Sequence, residues 1–377
     1  MKIIPKIPVK FEGRFPADFQ NTLPYWGFFT KEQLKEVKLR LLDIDFGRYC
    51  SLACPGCFRR SSVVDETRDG DLSHAELLKV IDEARGLGLE SVKICGVGEP
   101  TENANFLDFL KEMTDRGIGT AIFTKGQVLG DDEAAVKYHK RHRITSALKF
   151  AEELYKLKTS VMLGFHSFDS DIQDGVVGKT GHTTIKNKAL ENLVNAGFTS
   201  ENPTRLGFCN APVVRKTAGD AFEIYTYARK RNIYPITAVL MTSGKQIDRK
   251  FLDVHDFSDK EKVELWTKIY FWDIEHGIQT LGQIREEGIS CLPGGHPCNQ
   301  LTSGLYITAN GNVVGCPGYT ETQGNVRKES LSEIWARSKT RAVADERFNC
   351  HCPPKDGVTI PEDLYAKVLE NLERGHC

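Results

Sequence analysis

The sequence predicts an α/β fold of six parallel βα units followed by a cysteine-rich module. Between residues 41 and 241, six short apolar, strand-like runs alternate with longer stretches of helical period. Eleven cysteines lie mostly in two groups near opposite ends of the chain. A length of 377 residues exceeds one average domain and suits a large α/β unit with an appended module. Six such units fit either a partial barrel or a doubly wound sheet, and in both the active site lies at the C-terminal ends of the strands.

Each element has its own signal. Residues 1–40 carry scattered prolines and aromatics (Pro16, Pro24, Tyr25, Trp26, Phe28, Phe29) and a helix from about Lys31, and read as an arm packed over the barrel. The candidate strands are 41–46, 91–95, 119–124, 160–165, 205–210 and 235–241. Ser73 with Glu76 forms a capping box ahead of Leu77, Leu78, Ile81 and Ala84. Ile185, Ala189, Leu190, Leu193 and Val194 form an apolar stripe that stops at Gly197. The longer connection 131–157 predicts two helices or an inserted one, and its basic run 137–143 reads as a solvated helix face. The organisation expected is an arm at 1–40, a barrel at 41–245, a helical linker at 246–290 and a cysteine-rich module at 291–377.

Fifty basic and fifty-one acidic residues give a net charge of -1, which provides no electrostatic footprint for nucleic acid or an anionic membrane. No apolar run approaches the roughly 18 to 20 residues a spanning helix needs, and the N-terminus lacks the long apolar stretch of a secretory signal. A soluble cytoplasmic protein is expected. In a reducing cytosol, grouped thiols point to metal ligation rather than to disulfides.

Cys50, Cys54 and Cys57 form a C-x3-C-x2-C triplet immediately after the first strand. Structural zinc ordinarily takes four protein ligands, and no Cys or His follows within fifteen residues. A [4Fe–4S] cluster on three thiolates keeps one iron open, which matches the count. This triplet, followed by the aromatic Phe58, resembles the radical S-adenosylmethionine (radical SAM) superfamily.

The resemblance implies a partial (β/α)6 TIM-like barrel and a role for several further residues. Gly96, Gly98, Glu99 and Pro100, after the second strand, resemble the family's GGEP motif, which holds the amino group of SAM. Thr124-Lys125-Gly126 resembles its TNG, with lysine replacing asparagine. Ser167 and Asp169 stand where relatives carry a Ser-x-Asp turn near the SAM ribose or carboxylate. Lys179 stands where many carry a carboxylate-binding arginine, and Asn210 ends strand five on the adenosine side. The implied chemistry is reductive cleavage of SAM to methionine and a 5′-deoxyadenosyl radical that abstracts hydrogen from a substrate carbon, with a reductase such as flavodoxin or ferredoxin as partner.

In the second group, Cys298 and Cys316 flank a predicted hairpin over 305–314 with an Asn310-Gly311 type I′ turn. The hairpin, with Gly324-Asn325-Val326 and the 330–335 stretch after it, resembles the SPASM and twitch modules that bind auxiliary clusters. One auxiliary [4Fe–4S] cluster is implied, on Cys298 and Cys316 with further ligands from Cys291, Cys350 and Cys352. A zinc site of Cys298, Cys316, Cys350 and Cys352 is the alternative. Cys377 is left out of both sets, and Cys95 reads as a small core residue. Cys209, ending a barrel strand, is a candidate hydrogen donor or a second core residue.

The expected function is dehydrogenation of a small or sugar-like molecule assisted by the auxiliary cluster. The forty residues ahead of the first strand are too few for the peptide-recognition domain of many peptide-modifying relatives, which tilts the expectation away from peptides. Maturation of a ribosomal peptide, epimerisation or decarboxylation, and a noncatalytic metal-binding scaffold are the alternatives.

Overall fold

A computed structural model describes residues 1–57, 70–240, 249–296, 299–317, 321–338 and 363–375. Among the described residues nine strands form one sheet: β1 (Leu41–Ile44), β2 (Ser91–Ile94), β3 (Gly119–Thr124), β4 (Ser160–Gly164), β5 (Leu206–Asn210), β6 (Tyr234–Thr237), β7 (Gly304–Ile307), β8 (Asn312–Val314) and β9 (Gly324–Asn325). Their order is β6-β5-β4-β3-β2-β1-β7-β8-β9. The first six strands run in sequence order without the reversal of a doubly wound sheet, which selects the partial-barrel arrangement. β6, at the free end of the sheet, carries Pro235, where a missing N–H costs no ladder bond.

β7 continues the sheet past β1. It pairs parallel to β1, Leu41 with Gly304 through Ile44 with Ile307, and β8 and β9 follow antiparallel. The hairpin turn differs from expectation. A type I′ turn needs positive φ at both central residues, but only Gly311 has it (φ 83°), and the strands are joined by four residues, 308–311. Thr308 closes this longer loop, its N–H donating to Asn312 O at 2.9 Å and its carbonyl accepting from Gly311 N–H at 2.9 Å.

Period-2 alternation splits the strands between two cores. Leu42, Ile44, Val92, Ile122, Leu163, Phe208 and Leu305 face the helices in the main outer core. Ala121, Met162, Cys209, Tyr234 and Ile236 face inward and meet Leu23 and Trp26 of the N-terminal arm, which fills the barrel interior. Deeper inside, Lys93 pairs with fully buried Asp43 at 3.1 Å, its ammonium 5.0 Å from the centre of the Trp26 ring. The desolvated pair is thus roofed by an aromatic face.

Helix His74–Gly86 begins at the predicted capping box, with Glu76 accepting from Ser73 N–H at 2.8 Å. Residues 131–157 form helices Asp132–His139 and Ala147–Lys156. The basic run is not wholly solvated: His139 is fully buried, stacked on Phe150 at 4.5 Å, because its ring lies between the two helices. Residues 246–290, expected as a linker, carry a core of their own. Trp266, Ile269 and Tyr270 of helix Asp259–His276 pack with Leu364, Val368 and Leu372 of helix Leu364–Arg374 and with Phe15 of the arm. Among the described residues no helix is long and apolar enough to cross a membrane.

Candidate functional site

The cysteine loop lies against the turn that follows β2. A Cβ at Gly98 (φ 82°) would come within 2.7 Å of Gly47 O and 2.8 Å of Tyr49 O, so only glycine lets the two segments approach. Glu99 N–H donates to Tyr49 O at 2.8 Å. Glu102 accepts from Ser51 N–H at 2.8 Å and also from the Ser51 hydroxyl. The segment 98–102 therefore templates the loop that carries the three thiols.

Burial, with help from Glu99 and Glu102, pushes the Cys50 thiol up to about 12. A thiolate here is costly until a cation replaces the proton. Among the described residues no three Cys, His, Asp or Glu side chains converge at the distances of a single ion. Three thiols on one loop are the donor set of an iron–sulfur cluster that keeps one iron open.

Glu99, buried, is held on all sides. Its Oε1 accepts from the hydroxyls of Thr101 and Thr124, both at 2.7 Å, and its Oε2 from Lys125 N–H at 2.9 Å. Burial raises its pKa while these donors oppose the rise. Thr124 thus acts through Glu99 and also accepts from Gly126 N–H at 3.0 Å. Pro100 opens the short 3-10 turn Pro100–Glu102 that presents Glu102 to Ser51.

Asn210 ends β5 almost completely buried, with neither side-chain amide atom hydrogen-bonded among the described residues. An orphaned buried amide at a strand's C-terminal end fits a ligand contact such as the adenosine. Ser167 and Asp169 are engaged within the chain, and Lys179 adjoins Gly178, where a Cβ would stand 2.7 Å from Ala53 O of the cysteine loop. Ser167 donates to Asp220 and accepts from Asp169 N–H at 2.9 Å. Asp169 caps helix Ser170–Val177 and takes the Met1 ammonium at 2.9 Å, so its oxygens are committed to the chain's own backbone ends. Lys179 is exposed.

Two buried residues near Lys125 were missed. His166, rather than Ser167, is the buried polar group beside Lys125, with Nε2 3.2 Å from the ammonium. Lys186, fully buried with no hydrogen bond to its ammonium, lies 3.6 Å from the centre of the Phe165 ring. Burial, together with Lys125, holds the Lys186 ammonium well below its ordinary pKa. Its sequence signal was a lysine inside the stripe from Ile185 to Ala189.

Asp45 was missed as well. Its Oδ1 accepts from Val97 N–H at 2.7 Å and from the Tyr306 hydroxyl, and its Oδ2 from Ala309 N–H at 2.9 Å. One carboxylate at the end of β1 thereby ties the Gly96–Pro100 turn to the β7–β8 hairpin. Gly96 is required beside it, since a Cβ there would lie 1.9 Å from Asp45 Oδ1. The signal was a second acidic residue in an otherwise apolar run, Leu41-Leu42-Asp43-Ile44-Asp45-Phe46.

Of the second cysteine group, Cys316 follows β8 and Cys291 is buried in the inner cluster beside Leu292. Cys298, Cys350 and Cys352 lie outside the described residues. Cys209 is buried on the inner face of β5, its thiol pushed up to about 12 by burial. Cys95, after β2, is close enough to Cys209 and Cys316 for their charges to oppose its ionisation.

The sequence profile of the radical SAM superfamily matches residues 44–258, and that of the SPASM iron–sulfur cluster-binding domain matches 298–353. Mycofactocin maturase MftC of Mycolicibacterium smegmatis is 25% identical over 300 residues, 77% of this chain and 68% of that protein. A tungsten-containing aldehyde ferredoxin oxidoreductase cofactor-modifying protein of Pyrococcus furiosus is 30% identical over 95 residues, and the match spans only 26% of that protein. Among solved structures, anSMEcpe with bound AdoMet superposes with a TM-score of 0.59 at 14% identity, covering 89% of this chain and 97% of that one. Streptococcus suis SuiB bound to precursor peptide SuiA gives 0.56 at 15% identity, covering 86% and 71%. The fold is therefore that of these enzymes, with an α/β partial barrel and a C-terminal extension. With its thiol loop templated by the Gly98–Glu102 segment and more than half its length matched by the family profile, the chain belongs to the radical SAM superfamily, and its cofactors are SAM, the [4Fe–4S] cluster that binds it and auxiliary iron–sulfur ligation by a SPASM domain.

Proposed function

We propose that this protein is a radical SAM maturase acting on a peptide, with its auxiliary cluster assisting oxidation of the substrate. The observation that carries the reading is the extended similarity to a maturase, over 77% of the chain, together with the matched cluster-binding domain. This favours the peptide alternative over the small-molecule dehydrogenation expected from the sequence.

SAM and its cluster, when bound, supply a carbon-centred radical able to remove hydrogen from an unactivated carbon. The chain's own residues do the rest. Cys50, Cys54 and Cys57 hold the cluster, and the Glu102–Ser51 contact fixes the loop on which they sit. Glu99, with four donors of its own, holds a fixed negative charge for the SAM ammonium group. Asn210 offers an unpaired donor and acceptor at the strand end, and the apolar inner cluster with Leu23 and Trp26 closes the far end of the barrel against water. Cys209, on the same inner face, is the candidate hydrogen donor if the reaction is redox-neutral. We assign the auxiliary ligands to Cys298 and Cys316, completed from Cys291, Cys350 and Cys352.

The test is isotopic. Anaerobically reconstituted, reduced enzyme is incubated with SAM and perdeuterated peptide mixtures, and separately with perdeuterated sugars. Deuterium in 5′-deoxyadenosine from the peptides supports the maturase reading; deuterium from the sugars alone returns the function to small-molecule dehydrogenation.

A further inference from the structure

We propose that the Lys125 ammonium, positioned by His166, binds a carboxylate of the substrate at the mouth of the barrel. The inference rests on the reading of this mouth as the substrate site and adds the substrate's charge.

Lys125 is fixed at its backbone from two sides. Its N–H donates to Glu99 Oε2 at 2.9 Å, and its carbonyl accepts from His182 Nε2 at 3.1 Å. From this anchored turn the side chain crosses the inner face of β4 at Gly164, where a Cβ would stand 2.8 Å from Nζ and 2.9 Å from Cδ. Glycine at 164 therefore leaves the track along which the lysine lies. At its end the ammonium donates to His166 Nε2 at 3.2 Å. That bond places the imidazole proton on Nδ1, which is buried and has no partner.

Charge counting indicates the ligand. Lys186, buried and with no hydrogen bond to its amine among the described residues, lies close enough to Lys125 for that charge to oppose its own protonation. The neighbouring Asp174 is already engaged by Gly181 N–H and by the N–H and hydroxyl of Thr183. Glu99, which accepts from the Lys125 backbone N–H, is taken by the ammonium group of SAM in the reading above. The Lys125 ammonium, whose partner is a neutral imidazole and which has no carboxylate within ion-pair distance among the described residues, calls for an anion from outside the chain. That anion is a carboxylate of the substrate rather than that of SAM, a distinction that decarboxylated SAM reads out. A carboxylate suits a single lysine held by a neutral imidazole, whereas a dianionic phosphate ordinarily recruits an arginine fork or a nest of backbone N–H groups.

The probe is trifluoroacetate, observed by fluorine NMR with the SAM-loaded, cluster-reduced full-length enzyme. The expected result is paramagnetic broadening of its resonance, reversed by excess acetate. Lys125→Met should weaken this binding at least tenfold while leaving SAM affinity within twofold. Gly164→Ala supplies an independent variant that keeps the lysine but pushes its ammonium off the track, and it should weaken trifluoroacetate in the same way. His166→Gln should do so to a smaller extent, with SAM affinity again unchanged.

Absence of broadening with the wild type overturns the proposal. So does a tenfold loss of SAM affinity in Lys125→Met that vanishes with decarboxylated SAM, because the lysine would then hold the methionyl carboxylate of SAM. Anion binding without deuterium transfer from peptides would sink the maturase reading and keep the lysine's role, and the converse result would do the opposite.

Discussion

Replacing Gly96 by alanine tests whether Asp45 is the joint between the two halves of the protein. The added methyl would lie 1.9 Å from Asp45 Oδ1, 2.9 Å from its Cγ and 3.0 Å from its Cα. Gly96 lies outside the left-handed region, so the cost is steric and arises at Asp45. The carboxylate must turn away, giving up Val97 N–H and the Tyr306 hydroxyl. At about 1.5–3 kcal/mol for each hydrogen bond to a charged group, Gly96→Ala should destabilise by about 3–6 kcal/mol. Asp45→Ala, which leaves three donors without their acceptor, should cost a similar amount. In the double variant the methyl enters space the carboxylate has vacated. Its stability should match that of Asp45→Ala to about 1 kcal/mol, a coupling of several kcal/mol in a double-mutant cycle. Anaerobic urea denaturation of the four holoenzymes, followed by circular dichroism, gives the cycle. Strict additivity of the two single losses would refute the steric argument and the role of Asp45 with it.

Three further outcomes are expected. Cys54→Ala should abolish SAM cleavage in reconstituted protein, measured as 5′-deoxyadenosine, and wild-type cleavage would remove this thiol from the ligand set. Cys316→Ala should retain uncoupled SAM cleavage but lose about four irons per chain, the content of one [4Fe–4S] cluster; unchanged iron would exclude it as a ligand. Burial holds the His139 ring down at about 4, against 6.5 for a free imidazole, so it remains neutral in the native state. Below pH 6.5 the unfolded chain takes up a proton that the native chain refuses, and stability falls until about pH 4, by on the order of 3 kcal/mol. His139→Gln keeps a donor for Thr101 O and should flatten that part of the acid limb in denaturation curves taken from pH 7 to 4. A slope unchanged from the wild type would show that His139 is charged in the native state.

The barrel strands were legible because each is a short apolar run bounded by glycines or helix caps, and all six begin within one residue of the expected position. The thiol triplet and Glu99 were legible because their spacing is local. What the sequence hid was partnership across strands. Asp45 and Tyr306 are 261 positions apart, and only the parallel pairing of β7 with β1 makes them neighbours. Ser167 was named because it stands where relatives carry a Ser-x-Asp turn; strand alternation turns its neighbour His166 inward and sends Ser167 to Asp220. Lys179 was named because it stands where many relatives carry a carboxylate-binding arginine, whereas Lys186, a lysine within an apolar helical stripe, passes for a surface residue. The supposed linker concealed a core because helix Leu364–Arg374, its packing partner, lies nearly a hundred residues further on.

The pairing of β7 with β1 has a consequence for how this protein can be divided. Removing residues beyond 303 would strip β1 of a neighbour and expose a row of unsatisfied amides and carbonyls next to the catalytic loop. A truncated barrel should therefore self-associate along that margin. A chimera exchanging the C-terminal region with that of a relative should behave only if the junction falls before Gln300 and imports a strand of matching register.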